Sequence, residues 1–278
     1  MEGHIQYMAK SSNLETEKAF IIDFPIDHVQ GIEGLRSKNV KPEERKVTLE
    51  EITSPNKWNL DVHGFCILRA ITKVDPNEVY SNREEFQKAY WYEIEALLHD
   101  RFPRYSRIEA FDLTVRKREP EYPLKVRAYN LEAENPAGAA HADYSHSGGF
   151  LILQNCFPGQ GAYWKNKDFD LINVWRPLRG PTDDWPLAMC DFTTIDTEND
   201  LLLTDSIRRD DVAEISLMHY NKSHRWHYLK NQGVDDLFVF RNTDSSGKRA
   251  RGFHAAVRNP NAVGPPRESL EVRLVAFY

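Results

Sequence analysis

From residue 107 onward the chain breaks into short β-rich runs separated by Gly, Pro, Asn and Asp. The runs are RIEAFDLTVRKR (107–118), GGFLILQNCF (148–157), DLINVWRPL (170–178), WPLAMCDF (185–192), DLFVFRN (236–242) and SLEVRLVAFY (269–278). Short apolar or alternating stretches bounded by turn formers are the pattern of strands in a sandwich or barrel. An earlier run, DVHGFCILRA (61–70), also reads as a strand, and in the second half only VAEISLMHYNKSHRWHYL (212–229) has helical or mixed character. One long helix precedes most of these runs, over 81–103. Ser81 and Glu84 make a capping box, Phe86, Ala89, Tyr90, Leu97 and Leu98 share a face, and Pro103 ends it. Helices do not alternate with strands, which excludes a parallel α/β sheet. The expected fold is therefore mainly β with flanking helices, either an antiparallel barrel or a double-sheet jelly roll with a helical buttress. Residues 1–58 are expected as a partly irregular N-terminal arm, in which the charged stretch 37–56 with its two prolines forms a loop or surface hairpin. Residues 59–278 then make the β domain.

The formal net charge of −6 argues against nucleic acid or an anionic membrane surface as the main partner. No apolar run approaches the ~20 residues of a membrane span. The first residues lack the basic-then-apolar pattern of a signal peptide. Cys66, Cys156 and Cys190 are far apart with no CxxC spacing, so they are expected as reduced, buried thiols of a cytoplasmic protein.

The chemistry concentrates in AAHADYSHSGG (139–149). On a strand, residues i and i+2 project from one face, so His141 and Asp143 can hold one metal ion. His146 is off that register and is not counted as a ligand. An isolated H-x-D is weak, since a hydrogen-bonded surface pair explains it more readily. The C-terminal region adds His254 after a strand over 237–241, and then Arg267 and Ser269 on one face of the last strand. Two histidines and a carboxylate on one face of a metal leave three positions open, the arrangement that suits nonhaem Fe(II). A chelating 2-oxo acid takes two of them and O2 the third. The far carboxylate of 2-oxoglutarate needs a fixed cationic fork, which Arg267 supplies with the Ser269 hydroxyl as a second donor. Competing histidines exist. His224 and His227 stand three apart and would form a metal pair on a helix, while HRWHY is otherwise a packed aromatic element. His63 and His99 fall in apolar or helical context.

At these residues the chain resembles the fungal and bacterial nonhaem iron, 2-oxoglutarate-dependent oxygenases, a group that takes in gibberellin desaturase-like, AsaB-like hydroxylase/desaturase and novofumigatonin endoperoxide synthase-like (meroterpenoid) proteins. The resemblance runs from about residue 60 to the end through HGF (63–65), the helix with Tyr90 and Glu93, FDLTVRKR (111–118), HADYS (141–145), NVWRPL (173–178), WPLAMCD (185–191), HRWHY (224–228), TDS (243–245) and RESLEVR (267–273). It implies a double-stranded β-helix (jelly roll, cupin-like). It implies Fe(II) on His141, Asp143 and His254, and 2-oxoglutarate near Arg267 and Ser269. Asn173 or Arg176 would contribute to cofactor or substrate binding, Asn173 sharing a strand face with Trp175 and Arg176 pointing the other way. The implied reaction consumes O2 and oxidises a C–H bond of a small hydrophobic secondary metabolite, a terpenoid or meroterpenoid, with hydroxylation, desaturation, rearrangement or endoperoxidation as outcomes. Tyr144, Trp164, Trp226 and Phe253 are expected around the substrate because they neighbour these motifs. Departures from the family pattern are Phe253-His254-Ala255-Ala256-Val257 in place of Pro-His-Thr-Ala-Phe, and Arg241 and Thr243 in place of Lys and Tyr. Two other readings stand beside the oxygenase: a catalytically silent structural subunit pairing with an active paralogue, and a non-oxidative cupin-type metal enzyme with no use for Arg267-x-Ser269; the partner expectation is a homo- or heterodimer.

Overall fold

The computed structural model describes residues 1–26, 34–71, 75, 77–123 and 133–278. The chain begins with strands β1 (Glu2–Met8), β2 (Ala19–Ile22) and β3 (Pro42–Glu51), followed by helix α1 (Leu60–His63) and β4 (Phe65–Arg69). Helices α2 (Glu78–Ser81) and α3 (Arg83–Arg101) lead into β5 (Arg107–Lys117), β6 (His141–Ala142), α4 (His146–Cys156) and α5 (Gly161–Trp164). The remainder is β7 (Phe169–Pro177), β8 (Leu187–Cys190), β9 (Leu201–Ile207), β10 (Val212–Met218), β11 (Trp226–Tyr228), β12 (Asp236–Asp244), β13 (His254–Ala256) and β14 (Glu268–Phe277). Two sheets result, ordered β1-β3-β11-β8-β13-β6-β10-β9-β2 and β4-β12-β7-β14-β5. This is the jelly roll expected from the strand pattern. No helix among the described residues is long and apolar enough to cross a membrane.

Strand alternation sorts the core into layers. On β7, β12 and β14, Ile172, Val174, Leu237, Val239, Leu270, Val272 and Leu274 face outward from the five-stranded sheet and pack under α3. The helix presents Phe86, Tyr90, Ile94 and Leu98 to them, one apolar residue every four positions. The opposite face carries Trp175, Phe238 and Phe240, which meet Leu187 and Met189 of the large sheet. The large sheet also curls. β1 bridges back beside β6, with Gln6 N–H donating to Gly138 O at 3.1 Å and Ala140 N–H to Gln6 O at 2.8 Å. Ile5, Tyr7, Trp226 and Phe253 fill that curl.

Several expectations are corrected. The arm over 1–58 contains three strands of the large sheet, and half of the stretch 37–56, expected as a loop or surface hairpin, is β3. β3 is hard to see because most of its side chains are solvated, yet its backbone pairs with β1 from Glu2↔Thr48 to Met8↔Pro42 and with β11 on its other side. The run GGFLILQNCF forms helix α4, not a strand. A short run of apolar residues has no distinguishing period; here Ser145 settles the matter by accepting the Gly148 N–H at 2.9 Å as an N-cap. A Cβ on Gly148 would lie 2.0 Å from Glu214 O, so this glycine lets α4 lie directly on β10. Ser81 does not cap α3: it ends the turn α2, which Val79 anchors in the core, and Asn82 separates the two helices without a side-chain cap. Ala89 is exposed and Ile94 takes its place in the core. Residues 212–229 are strands β10 and β11 with a turn between them. Cys66 and Cys190 are buried free thiols, but Cys156, at the last turn of α4, is exposed.

One polar clasp ties these layers together. Arg241 of β12 is fully buried and donates to Leu60 O (3.1 Å), Ala250 O (2.9 Å), Asp61 Oδ1 (2.7 Å) and Asp170 Oδ2 (2.9 Å). Gly64, at φ +80°, ends α1 where a Cβ would meet Arg251 O at 2.1 Å, so the chain can pass closely enough for this clasp to form. Breaking one side of a buried ion pair leaves an uncompensated charge. Arg241→Met is expected to lower unfolding stability by about 3–5 kcal/mol, read from the urea midpoint. A loss below about 1 kcal/mol would mean that Arg249 and the hydroxyls of Tyr105 and Tyr278 already satisfy Asp170.

Candidate metal centre

His141 lies on β6, and its pairing partner across the sheet is His254 on β13. The two rings sit 4.3 Å apart between centroids. Ala142 turns to the other face and Asp143 returns to the same one, as an i, i+2 pair must. Asp143 Oδ1 is 3.3 Å from His141 Nε2 and 3.9 Å from His254 Nε2. One ligand atom from each of the three residues lies within 4.8 Å of the others.

The remaining atoms of the three side chains are already engaged. His141 Nδ1 meets Ala139 O at 2.7 Å and His254 Nδ1 meets Gly252 O at 3.0 Å, so each Nδ1–H donates to a carbonyl and each Nε2 turns a lone pair toward Asp143. Burial, then repulsion from His141, pushes the His254 imidazole down to about 3, which keeps it neutral and able to bind a metal. Burial opposes ionisation of Asp143, but the Arg273 guanidinium outweighs it and holds the carboxyl well below its ordinary range. Asp143 Oδ2 accepts from Asn173 Nδ2 and Arg273 Nε, both at 2.8 Å, and its backbone N–H donates to Asn242 Oδ1 at 3.0 Å.

Two spaces open from the triad. The inner one is tight, a cavity of about 10 Å³ lined by Arg116, Trp175, Arg267 and Glu271 together with the three ligand residues. The outer one, a cavity of about 340 Å³ open to solvent, is bounded by Phe111, Tyr144 and Ile152 and by the charged Asp112, Glu134, Arg208 and Arg273, beside His141 and Asp143. In the inner space Arg267 is buried, with Nε donating to Ser269 Oγ at 3.1 Å and Nη1 to Trp185 O at 2.8 Å. Its guanidinium lies 4.9 Å from the Trp175 ring centroid. Among the described residues no carboxylate pairs with the Arg267 side chain. Burial, then the neighbouring Arg116, pulls the Arg267 guanidinium down to about 9. The Trp175 indole N–H is likewise buried without a partner.

The structure therefore brings together His141, Asp143, His254, Arg267, Ser269, Asn173 and Tyr144. It separates the others. Asn173 touches Asp143 directly, whereas Arg176 emerges on the opposite face of β7, its guanidinium 5.8 Å from the Tyr90 ring under α3. Trp164 packs with Leu153, Phe169 and Phe277 in the same apolar cluster as Tyr144, but it lines neither space beside the triad. Trp226 and Phe253 point into the curl of the large sheet, because Phe253 adjoins His254 and must take the other face. His146 meets Asp244 O at 3.3 Å from the first turn of α4. His224 has both nitrogens engaged, with Tyr7 Oη (3.3 Å) and Asp200 (3.0 Å), and His227 packs 4.4 Å from Trp58. These two are not a helical metal pair, because His227 lies on β11 and His224 in the turn before it. Sequence reasoning missed Arg273, Glu271 and Arg116. The first two continue the parity of Arg267 and Ser269 along RESLEVR, a signal present in the sequence. Arg116 reaches the site only through the pairing Ser269↔Arg116 between β14 and β5.

A family model described as an oxidoreductase/YMDC permease-like domain matches residues 5–277. The chain is 32% identical over 166 residues to aspirochlorine biosynthesis protein N of Aspergillus oryzae, covering 56% of this chain and 63% of that protein. It is 29% identical over 147 residues to the Fe(II)/2-oxoglutarate-dependent dioxygenase nvfI of Aspergillus novofumigatus, covering 51% of this chain and 52% of that one. The matches thus span between half and two thirds of these relatives' length. The solved structure of the iron and alpha-ketoglutarate-dependent endoperoxidase NvfI has the same fold, with a TM-score of 0.82 over 100% of this chain and 97% of that one at 21% identity.

The geometry assigns distinct outcomes to the histidines. His141→Ala and His254→Ala should each weaken Co(II) binding by more than the about 100-fold that loss of an outer partner costs, measured by titration of the Co(II) absorption. His224→Ala should leave the affinity unchanged; an equal loss there would move the metal to the other histidine cluster.

Proposed function

We propose that this chain, which belongs to the oxidoreductase/YMDC permease-like domain family, is a nonhaem Fe(II)- and 2-oxoglutarate-dependent oxygenase acting on C–H bonds of a hydrophobic secondary metabolite. The observation that carries this reading is Arg267: a buried guanidinium with no carboxylate partner among the described residues, in the same inner space as a two-histidine, one-carboxylate donor set. Such a cation calls for an anionic ligand. A dicarboxylate that also chelates the metal answers both requirements. A non-oxidative metal enzyme would leave that charge without purpose.

His141, Asp143 and His254 would hold the iron, with donor types suited to Fe(II). Arg267 and Ser269 would hold the far carboxylate of 2-oxoglutarate, and the Trp175 N–H is free to add a third donor. Together, iron and 2-oxoglutarate supply O2 activation coupled to oxidative decarboxylation of the 2-oxo acid, and so the oxidation of a C–H bond. The protein's part is positional. Phe240, with its ring centroid 4.6 Å from that of His254, packs against this ligand and would help to hold its imidazole in place. Phe111, Tyr144 and Ile152 give the outer cleft one apolar wall among charged neighbours such as Asp112 and Arg208, and a substrate would lie against that wall beside His141 and Asp143. The name of one relative, an aspirochlorine biosynthesis protein, supports a substrate from secondary metabolism, and the apolar side chains of the outer cleft support a terpenoid or similar hydrophobic character for it.

Anaerobic addition of Fe(II) and 2-oxoglutarate should produce the weak visible charge-transfer band of the chelated 2-oxo acid, absent in His254→Ala. Arg267→Ala should keep the metal but weaken 2-oxoglutarate about 10- to 100-fold, the loss of a charge-assisted contact of about 1.5–3 kcal/mol. A wild-type protein that binds metal yet gives no band would sink the oxygenase reading in favour of a non-oxidative site or a silent subunit.

A further inference from the structure

Arg273 stands between the two spaces around the triad. Its Nε donates to Asp143 Oδ2 at 2.8 Å, its Nη2 meets Glu271 Oε1 at 2.8 Å on the inner side, and its Nη1 meets Asp112 and Thr114 Oγ1 on the outer side, the latter at 2.8 Å. Every nitrogen of the guanidinium is thus held, and the group cannot swing away from Asp143 without giving up partners on both sides. The same oxygen, Oδ2, accepts a second donor, Asn173 Nδ2, at 2.8 Å. A carboxylate oxygen has two in-plane lone pairs, and on Oδ2 both are taken by N–H groups, one from β7 and one from β14. Oδ1 is left facing His141 and His254.

We infer that Arg273, with Asn173, fixes Asp143 as a single-oxygen ligand and thereby keeps three positions of the metal open. A carboxylate free to rotate could chelate through both oxygens and close one of them. A site that must take a two-toothed 2-oxo acid and O2 together cannot lose that position. Arg273 is a positioning residue: it acts through Asp143. The inference rests on the metal site proposed above.

The probe is Mn(II) alone, without 2-oxoglutarate, with water-proton relaxation reporting the rapidly exchanging waters on the bound ion. Arg273→Gln is expected to bind Mn(II) with its relaxation enhancement lowered by about a third, as one of the three open positions closes. Asn173→Ala, which removes the other donor and keeps the charge, should lower it in the same direction. Arg273→Lys should recover part of the loss. Asp112→Asn, which removes a partner of Arg273 but not its bond to Asp143, should match wild type. If wild-type protein fails to bind Mn(II), the metal site itself is wrong. If wild type binds and both Arg273→Gln and Asn173→Ala bind with undiminished enhancement, only the positioning role is overturned. Folded Arg273→Gln protein that loses the ion altogether, with Asn173→Ala like wild type, would also overturn it, since Arg273 would then supply charge and not orientation.

Discussion

The carboxylate of Asp143 joins the two sheets. It follows β6 of the large sheet, and the groups that hold it, Asn173 and Arg273, come from β7 and β14 of the small one. An ionised carboxylate between sheets costs several kcal/mol of lost hydration, and only a geometry that satisfies its oxygens offsets this. Two N–H donors do so for one oxygen, and the other faces the two histidines. The demand for ionisation and the demand for alignment are therefore met by the same contacts. At this point an arginine and an asparagine span the distance between the sheets.

The apolar layers let that bridge stand still. α3 covers the outer face of the small sheet with Phe86, Tyr90, Ile94 and Leu98, which fixes β7, β12 and β14 side by side. On the far side, the aromatic filling of the curl by Tyr7 and Trp226 fixes β13 beside β8. Residues that neighbour the ligands in sequence serve these layers. Phe253, Ala142 and Ala255 pack outward so that His141, Asp143 and His254 can face inward. The N-terminal strands belong to this support, since β1 closes the curl and β3 backs β11.

Much of the chemistry was legible because it obeys parity along single strands. His141 and Asp143, or Arg267 and Ser269, need only a strand to share a face, and Arg273 and Glu271 lay open to the same argument. Local capping was less legible. Ser145 and Gly148 turned an apolar run into α4, while Ser81, a good cap by type, was carried into α2 by the burial of Val79. Nearness in sequence misled most. Trp226 and Phe253 adjoin functional motifs yet face away from the site, and Arg176, three residues from Asn173, lies under α3.

The sequence by itself determined the donor types, the strand period and the pairing of an H-x-D with an R-x-S, because each of these depends on residue identity and local backbone geometry alone. Only the tertiary structure decided which histidine stands opposite His141, which arginines share the inner space, and which oxygen of Asp143 stays free. Those depend on sheet order and register between segments distant in sequence, where β6, β7, β13 and β14 meet. Register is set by the summed packing of whole layers, and no local stretch of chain carries that sum.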